Sequence, residues 1–217
     1  MRFLDAWVAH EVELSVGARV VDVGFGAHGT TVLELAEAVR SVRADLEVIG
    51  IERRPALEAP GVTLVQGDFQ TVRSLREVTL VRAMNVVRGY REDEVPAIHE
   101  ALQAPLAEGG LALEGSCDVD GHVTVVHLLG RGPGTLLFHT DFARGFSPWL
   151  FRDWLPRTFR RRVTPGTAVH TLLSQWEAAC GSGRTPVERF RHSLDVLPVL
   201  EANDWEREHG YVRWSVP

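Results

Sequence analysis

At 217 residues, 45% of them hydrophobic, the chain is long enough for one good core, which suits a single domain with appendages. The formal net charge of −6 excludes a broadly cationic nucleic-acid-binding surface and leaves only a local basic patch open. All 23 basic residues are arginine, which coding bias in a GC-rich genome explains without any function. In chain order, Phe3, Leu4, Trp7, Val8, Val12 and Leu14 recur at helical spacing and predict a lead-in helix. Trp7 either anchors that helix in the core or, with His10, overhangs a ligand. Arg2, Asp5, His10, Glu11 and Glu13 break any signal-peptide core, and no apolar run is long enough to span a membrane, so the expected location is cytoplasmic.

Residues 20–31, VVDVGFGAHGTT, carry the strongest local signal. The β-branched run 20–23 predicts a buried strand, which breaks at Gly24, Gly26 and Gly29 before an apolar-periodic helix over 32–42. Thr31 and Glu34 fit a capping box at that helix start. Strand, glycine turn and helix form the first unit of a doubly wound, Rossmann-like α/β sheet, whose ligands sit at the carboxyl ends of the strands. Spacing alone matches a dinucleotide fingerprint. Asp22 argues otherwise: a carboxylate facing the ligand there would repel a pyrophosphate and attract an ammonium group, such as that of S-adenosylmethionine.

The sequence hh-D-h-G-x-G resembles motif I of class I S-adenosylmethionine-dependent methyltransferases, with the third glycine, Gly29, one place later than in many of them. The resemblance implies that Asp22, Gly24, Phe25 and Gly26 bind the cofactor, with S-adenosylhomocysteine as product. A second strand over 48–51 ends at Glu52, placed with Arg53 beside the ribose hydroxyls that such an acid accepts. After a third strand over 62–65, Gly67, Asp68 and Phe69 correspond to the methyltransferase G-D pair, whose carboxylate meets the adenine amino group while the next side chain flanks the ring. Asp68 alternatively caps the adjoining helix.

A fourth strand over 78–81 presents Arg82, Ala83, Met84 and Asn85 at its mouth, near the methyl donor. Asn85, Arg88 and Tyr90 are the substrate-side candidates. The Asn/Asp-Pro-Pro-Tyr signature of base amino-group methylation is absent. A helix over 92–106 leads through L-x-x-G-G into a fifth strand, after which Ser116, Cys117 and Asp118 again point polar groups at the mouth. Glu114, if buried, needs a partner, and Arg82 on the neighbouring strand is the expected one. Asn85 and Asp118 are read as orienting the acceptor, with Tyr90 or a histidine as base where a proton must leave. RAMNVVRGY, LAEGGLALEGSCDVDGH and LPRTFRRRVTPGTAVHTLL are similar to a bacterial group of class I methyltransferases from GC-rich genomes, a likeness that covers nearly the whole chain and implies no particular acceptor.

Strands over 123–129 and 135–138 predict an antiparallel edge hairpin joined by residues 130–134. His127 and His139 fall in these strands and read as structural. Helices are expected over 148–159, 167–180 and 186–199, so residues 1–140 form the binding core and 141–217 a helical appendage. The tryptophans there serve packing or a cage. Arg157, Arg160, Arg161 and Arg162 form either a solvated helix face or a site for RNA or an anionic metabolite. Cys117 and Cys180 are isolated, which suggests neither a zinc site nor a disulfide framework. A small-molecule acceptor is the leading expectation. RNA methylation, a nicotinamide-dependent oxidoreductase and a non-catalytic cofactor-binding protein are the alternatives.

Overall fold

The computed structural model describes residues 1–55, 60–130, 134–181 and 183–217. The chain divides into two compact units: Met1–Glu114 with Leu129–Arg131, and Gly115–Leu128 with Gly132–Pro217. The second unit thus includes Gly115–Leu128, which precede residue 140, as well as the C-terminal helices.

In the first unit, helix α1 (Arg2–Glu11) precedes strand β1 (Arg19–Val23), helix α2 (Thr30–Val42) and strand β2 (Glu47–Glu52). Strand β3 (Thr63–Gln66), helix α3 (Phe69–Ser74), strand β4 (Val78–Met84), helix α4 (Val95–Gln103) and strand β5 (Leu106–Cys117) come next. The strand order β3-β2-β1-β4-β5, with β1 parallel to both β2 and β4 and β2 parallel to β3, is that of a Rossmann-like α/β sheet. The near-continuous apolar runs of β1, β2 and β4 are what a parallel sheet covered on both faces demands. Val21, Val23, Ile49, Ile51, Val81 and Ala83 join Val95, Ile98 and Leu102 of α4 in one buried cluster. Trp7 is buried, as a core anchor should be.

Three sequence expectations shift. Gly29, with φ of 64°, is the N-cap of α2 and offers no side chain, so the Thr31–Glu34 capping box does not form. Glu34 instead accepts from the Met1 ammonium (3.2 Å) and Arg2, while Thr31 Oγ1 donates to Asp22. The helix expected over 92–106 is a 3₁₀ turn (Glu92–Glu94) and then α4, and Leu106-Ala-Glu-Gly-Gly already belongs to β5. Strand β4 runs three residues further than its apolar stretch, because Arg82 is neutralised inside the fold.

The second unit takes the end of β5 and adds β6 (Val123–Leu129), β7 (Thr135–Thr140) and a final strand β8 (Tyr211–Ser215), in the order β5-β6-β7-β8. The expected hairpin is present, with Val123 opposite Thr140 and Leu128 opposite Thr135. Residues 131–133 of its connection lie outside the described residues. β8 pairs antiparallel with β7, and Glu201 bridges Arg213 on its other side, which covers part of the row of backbone groups that an outer strand exposes.

The first of the expected C-terminal helices is a 3₁₀ segment (Pro148–Trp154) succeeded by the single turn α5 (Arg157–Arg160). The other two are α6 (Ala168–Ala179) and α7 (Pro186–Val196), which ends three residues early. Ser182, in the loop between them, lies outside the described residues. Helix α8 (Asp204–His209) completes the unit. Trp176 is fully buried among Phe138, Phe146 and Phe151, with its indole donating to Ser193 Oγ at 2.8 Å. Trp149, Trp154 and Trp214 pack in or against the same cluster, so the tryptophans of this cluster are core. Among the described residues no helix is long and apolar enough to cross a membrane.

Candidate functional site

The carboxyl ends of β1, β2, β3 and β4 converge on a cavity of about 320 Å³ in the first unit. Sites for small ligands fall in the range of roughly 300–1,000 Å³. Gly24 and Ile51 close its floor, where Gly24 N–H donates to the Ile51 carbonyl at 2.8 Å. Gly24 has φ of 71°, and a Cβ there would stand 2.5 Å from Val86 Cγ2. Gly26 has φ of 76° with open space around it. Gly24→Ala is therefore expected to cost more stability than Gly26→Ala. The left-handed backbone alone costs about 1–2 kcal/mol in each, and only the first adds the clash. Urea denaturation of the two variants measures the difference, and equal losses would refute the contact.

Glu52, at the end of β2, leans over the glycine turn. Its Oε2 accepts from Gly26 N–H at 3.0 Å and its Oε1 from Arg53 N–H at 2.7 Å. Each carboxylate oxygen keeps a further lone pair for a ligand hydroxyl. At the end of β3, Asp68 Oδ1 accepts from Gln70 N–H at 2.8 Å, so Asp68 is the N-cap of α3, with Thr71 completing the box. Asp68 also lines the cavity, so capping and ligand contact are compatible roles. Phe69 and Tyr90 meet edge to face with ring centroids 5.5 Å apart, and Arg53 lies over the Tyr90 ring while donating to its hydroxyl. Arg53, Asp68, Phe69 and Tyr90 also wall a second cavity of about 430 Å³ that runs towards Asp93, Ala97 and Ile98.

Asn85 holds φ of 61° at the end of β4 and lines the cavity. A side chain in the left-handed region costs energy, and asparagine bears it better than most residues. Glu52, Arg53, Gly67, Asp68, Phe69, Asn85 and Tyr90 are thus brought together with Gly24. Val23, Ile51 and Val86 also line the cavity; their apolar side chains carried no sequence signal beyond burial.

The other sequence candidates lie elsewhere. Phe25 is buried against Gly50, where a Cβ would approach its ring to 2.8 Å. Ala83 is buried within β4. Asp22 is not among the residues that line the cavity: it is register neighbour to Arg82 across the β1–β4 pair, and Arg82 Nε and Nη2 donate to its two oxygens at 2.9 and 2.8 Å. Arg82, fully buried, also donates to Asp5 of α1 and to the Thr31 carbonyl at 2.7 Å. Arg82 is therefore the partner of two aspartates and not of Glu114, which sits instead 3.4 Å from His99 Nε2. Burial opposes the charge on Arg82, but the paired carboxylates outweigh it and raise its pKa. Burial likewise pushes the Asp5 carboxyl up to about 6, against the pull of Arg82.

In the second unit, Asp118 is buried and paired with Arg144 at 2.6 Å, not presented as an open acceptor-binding group. Beside it, His122 Nδ1 donates to Asp141 Oδ2 at 2.6 Å. That bond holds His122 above its ordinary pKa, and the pair can take up a proton. Sequence spacing hid this dyad because its members lie on either side of the β6–β7 hairpin.

No family model matches the sequence, and no curated protein matches it. Among solved structures, the mitomycin 7-O-methyltransferase MmcR aligns over 53% of this chain and 36% of its own, with 20% identity and a TM-score of 0.40. CalO1, a methyltransferase in calicheamicin biosynthesis in its S-adenosylhomocysteine-bound form, aligns over 52% and 35%, with 18% identity and a TM-score of 0.39. The aligned part thus spans about a third of the length of either protein.

Proposed function

We propose that the cavity of the first unit binds S-adenosylmethionine and that the protein is a methyltransferase acting on a small molecule. The observation that carries this reading is the position of the Glu52 carboxylate. In a dinucleotide site the N–H groups of the glycine turn face a pyrophosphate. Here the Gly26 N–H is taken by Glu52, and the cavity carries two carboxylates against the single guanidinium of Arg53. An adenosine without phosphates suits that donor and acceptor set. Glu52 accepts from the ribose hydroxyls, and Asp68 from the adenine amino group, with Phe69 against the ring face.

The cofactor supplies an electrophilic methyl group. The protein's part is to hold donor and acceptor in line and keep water out. Asn85, at the end of β4, and Tyr90 are the side chains placed to orient an acceptor. Asp22, the ammonium partner that motif I implies, takes no part here because Arg82 already neutralises it.

Calorimetric titration with S-adenosylhomocysteine, run beside NAD and NADP, tests the proposal. Binding of the first alone is expected, weakened at least tenfold by Glu52→Ala through loss of the charge-assisted hydrogen bonds. Binding of a nicotinamide dinucleotide instead would overturn it. Transfer of a labelled methyl group to a small-molecule extract then separates an enzyme from a binding protein.

A further inference from the structure

The second unit contains a cavity that methyl transfer in the first unit does not use. Arg152, Asp153, Arg157, Arg160 and Arg161 line a volume of about 340 Å³ between the 3₁₀ segment and α5. Arg157, Arg160 and Arg161 stand three and four positions apart, so a single helical turn directs them to one side. Among the described residues, no ion pair neutralises the side chains of these four arginines, and Asp153 is the one acid in the lining. Like charges at this spacing repel one another, and a solvated face would relieve that by holding its guanidiniums in water. The Nε–H of Arg157 is not held in water. Arg157 is half-buried, and its Nε–H is buried with no hydrogen-bond partner among the described residues. A buried donor of this kind normally has an acceptor, and here an anion would satisfy both the donor and the surplus charge.

We propose that this cavity binds a phosphate-class dianion carried by a small molecule. Guanidinium forks match the tetrahedral oxygens of phosphate in pairs, which a set of four arginines from two adjoining segments can exploit. A nucleic-acid backbone fits less well. The cavity is compact, Asp153 stands on its wall, and the net charge of −6 repels an extended polyanion. The inference rests on the second unit alone and stands whether or not the first binds S-adenosylmethionine.

The test is calorimetric titration of the full chain with inorganic phosphate and inorganic pyrophosphate at about 0.15 M sodium chloride, where loose surface attraction is screened. Binding tighter than about 1 mM is expected for pyrophosphate, weakened at least tenfold in Arg157→Gln and in the more exposed Arg161→Gln. Thermal melts of both variants without ligand show that they fold, and pyrophosphate should raise the melting temperature of the parent but not of the variants. Absence of binding, or equal binding in folded variants, would overturn the proposal. So would tight binding of single-stranded RNA that pyrophosphate fails to displace, which would assign the arginines to a nucleic-acid backbone.

Discussion

Replacing Arg82 by alanine is expected to destabilise the first unit by about 3–5 kcal/mol, the usual cost of removing one partner from a buried ion pair. Three features place Arg82 at that end of the scale. Its side chain is inaccessible to solvent, both carboxylates it holds are nearly so, and it is also the donor to the Thr31 carbonyl that opens α2. Without it, Asp5 and Asp22 stand close together in the interior with no counter-charge, and both must be protonated or the helix α1 must move away. Arg82→Lys should recover only part of the loss, since an ammonium reproduces the charge but not the fork that meets both oxygens of Asp22. Pairing Arg82→Met with Asp5→Asn and Asp22→Asn should recover more than the lysine does, because it removes the charges together. Urea denaturation measures all three. A cost below about 1 kcal/mol for alanine would show that the network is solvated.

Acid should weaken the second unit earlier than its carboxylates alone would. His139 lies buried in β7 against Tyr211, with ring centroids 4.4 Å apart, and burial pushes its pKa down to about 3. The unfolded chain therefore binds a proton at this residue below its ordinary value of 6.5, while the folded chain does not until about 3. The contribution is present above 6.5 and is lost as the pH falls through that window. Between neutrality and about pH 4.5 the loss comes to roughly 3 kcal/mol. Asp5 acts in the opposite sense on the first unit: with its folded value raised to about 6 from 3.8, it favours folding as the pH drops between those values. The two are separated by His139→Phe, which should flatten the acid limb of the second unit's unfolding while leaving that of the first unchanged. An unaltered pH dependence in this variant would show that the imidazole titrates normally.

The elements legible in the sequence were those whose signals are local. The β1–turn–α2 unit, the paired strands β6 and β7 and the helices α6 and α7 each carry periodicity and punctuation within some fifteen residues. So do Glu52, Gly67, Asp68 and Phe69, which stand at or just past the ends of β2 and β3 and line the cavity. What stayed hidden depended on partners far along the chain. Asp22 has the sequence look of a ligand contact, but it is spent on an arginine 60 positions away. Arg82 lies inside β4 and not at its mouth: a charged residue normally stops a buried strand, and here two aspartates permit it to continue. The last helix and strand carry local signals as well. Asn203 and Glu206 form a capping box, Gly210 ends α8 in the left-handed region, and Tyr211, Val212 and Trp214 are buried along β8.

The pairing of β8 with β7 has a consequence for how the second unit forms. It sets Thr135 against Ser215, so the intervening 3₁₀ segment and helices α5 to α8 all lie inside the loop that this contact closes. Closing a loop of that length costs chain entropy before any strand contact repays it, and such non-local pairing slows folding. Helices α6 and α7 can form early on local signals, but the register of β8 cannot be fixed until the loop closes. This non-local pairing is therefore expected to slow folding of the second unit, and Trp214, buried on β8 opposite Leu136, is the tryptophan whose surroundings change when the loop closes.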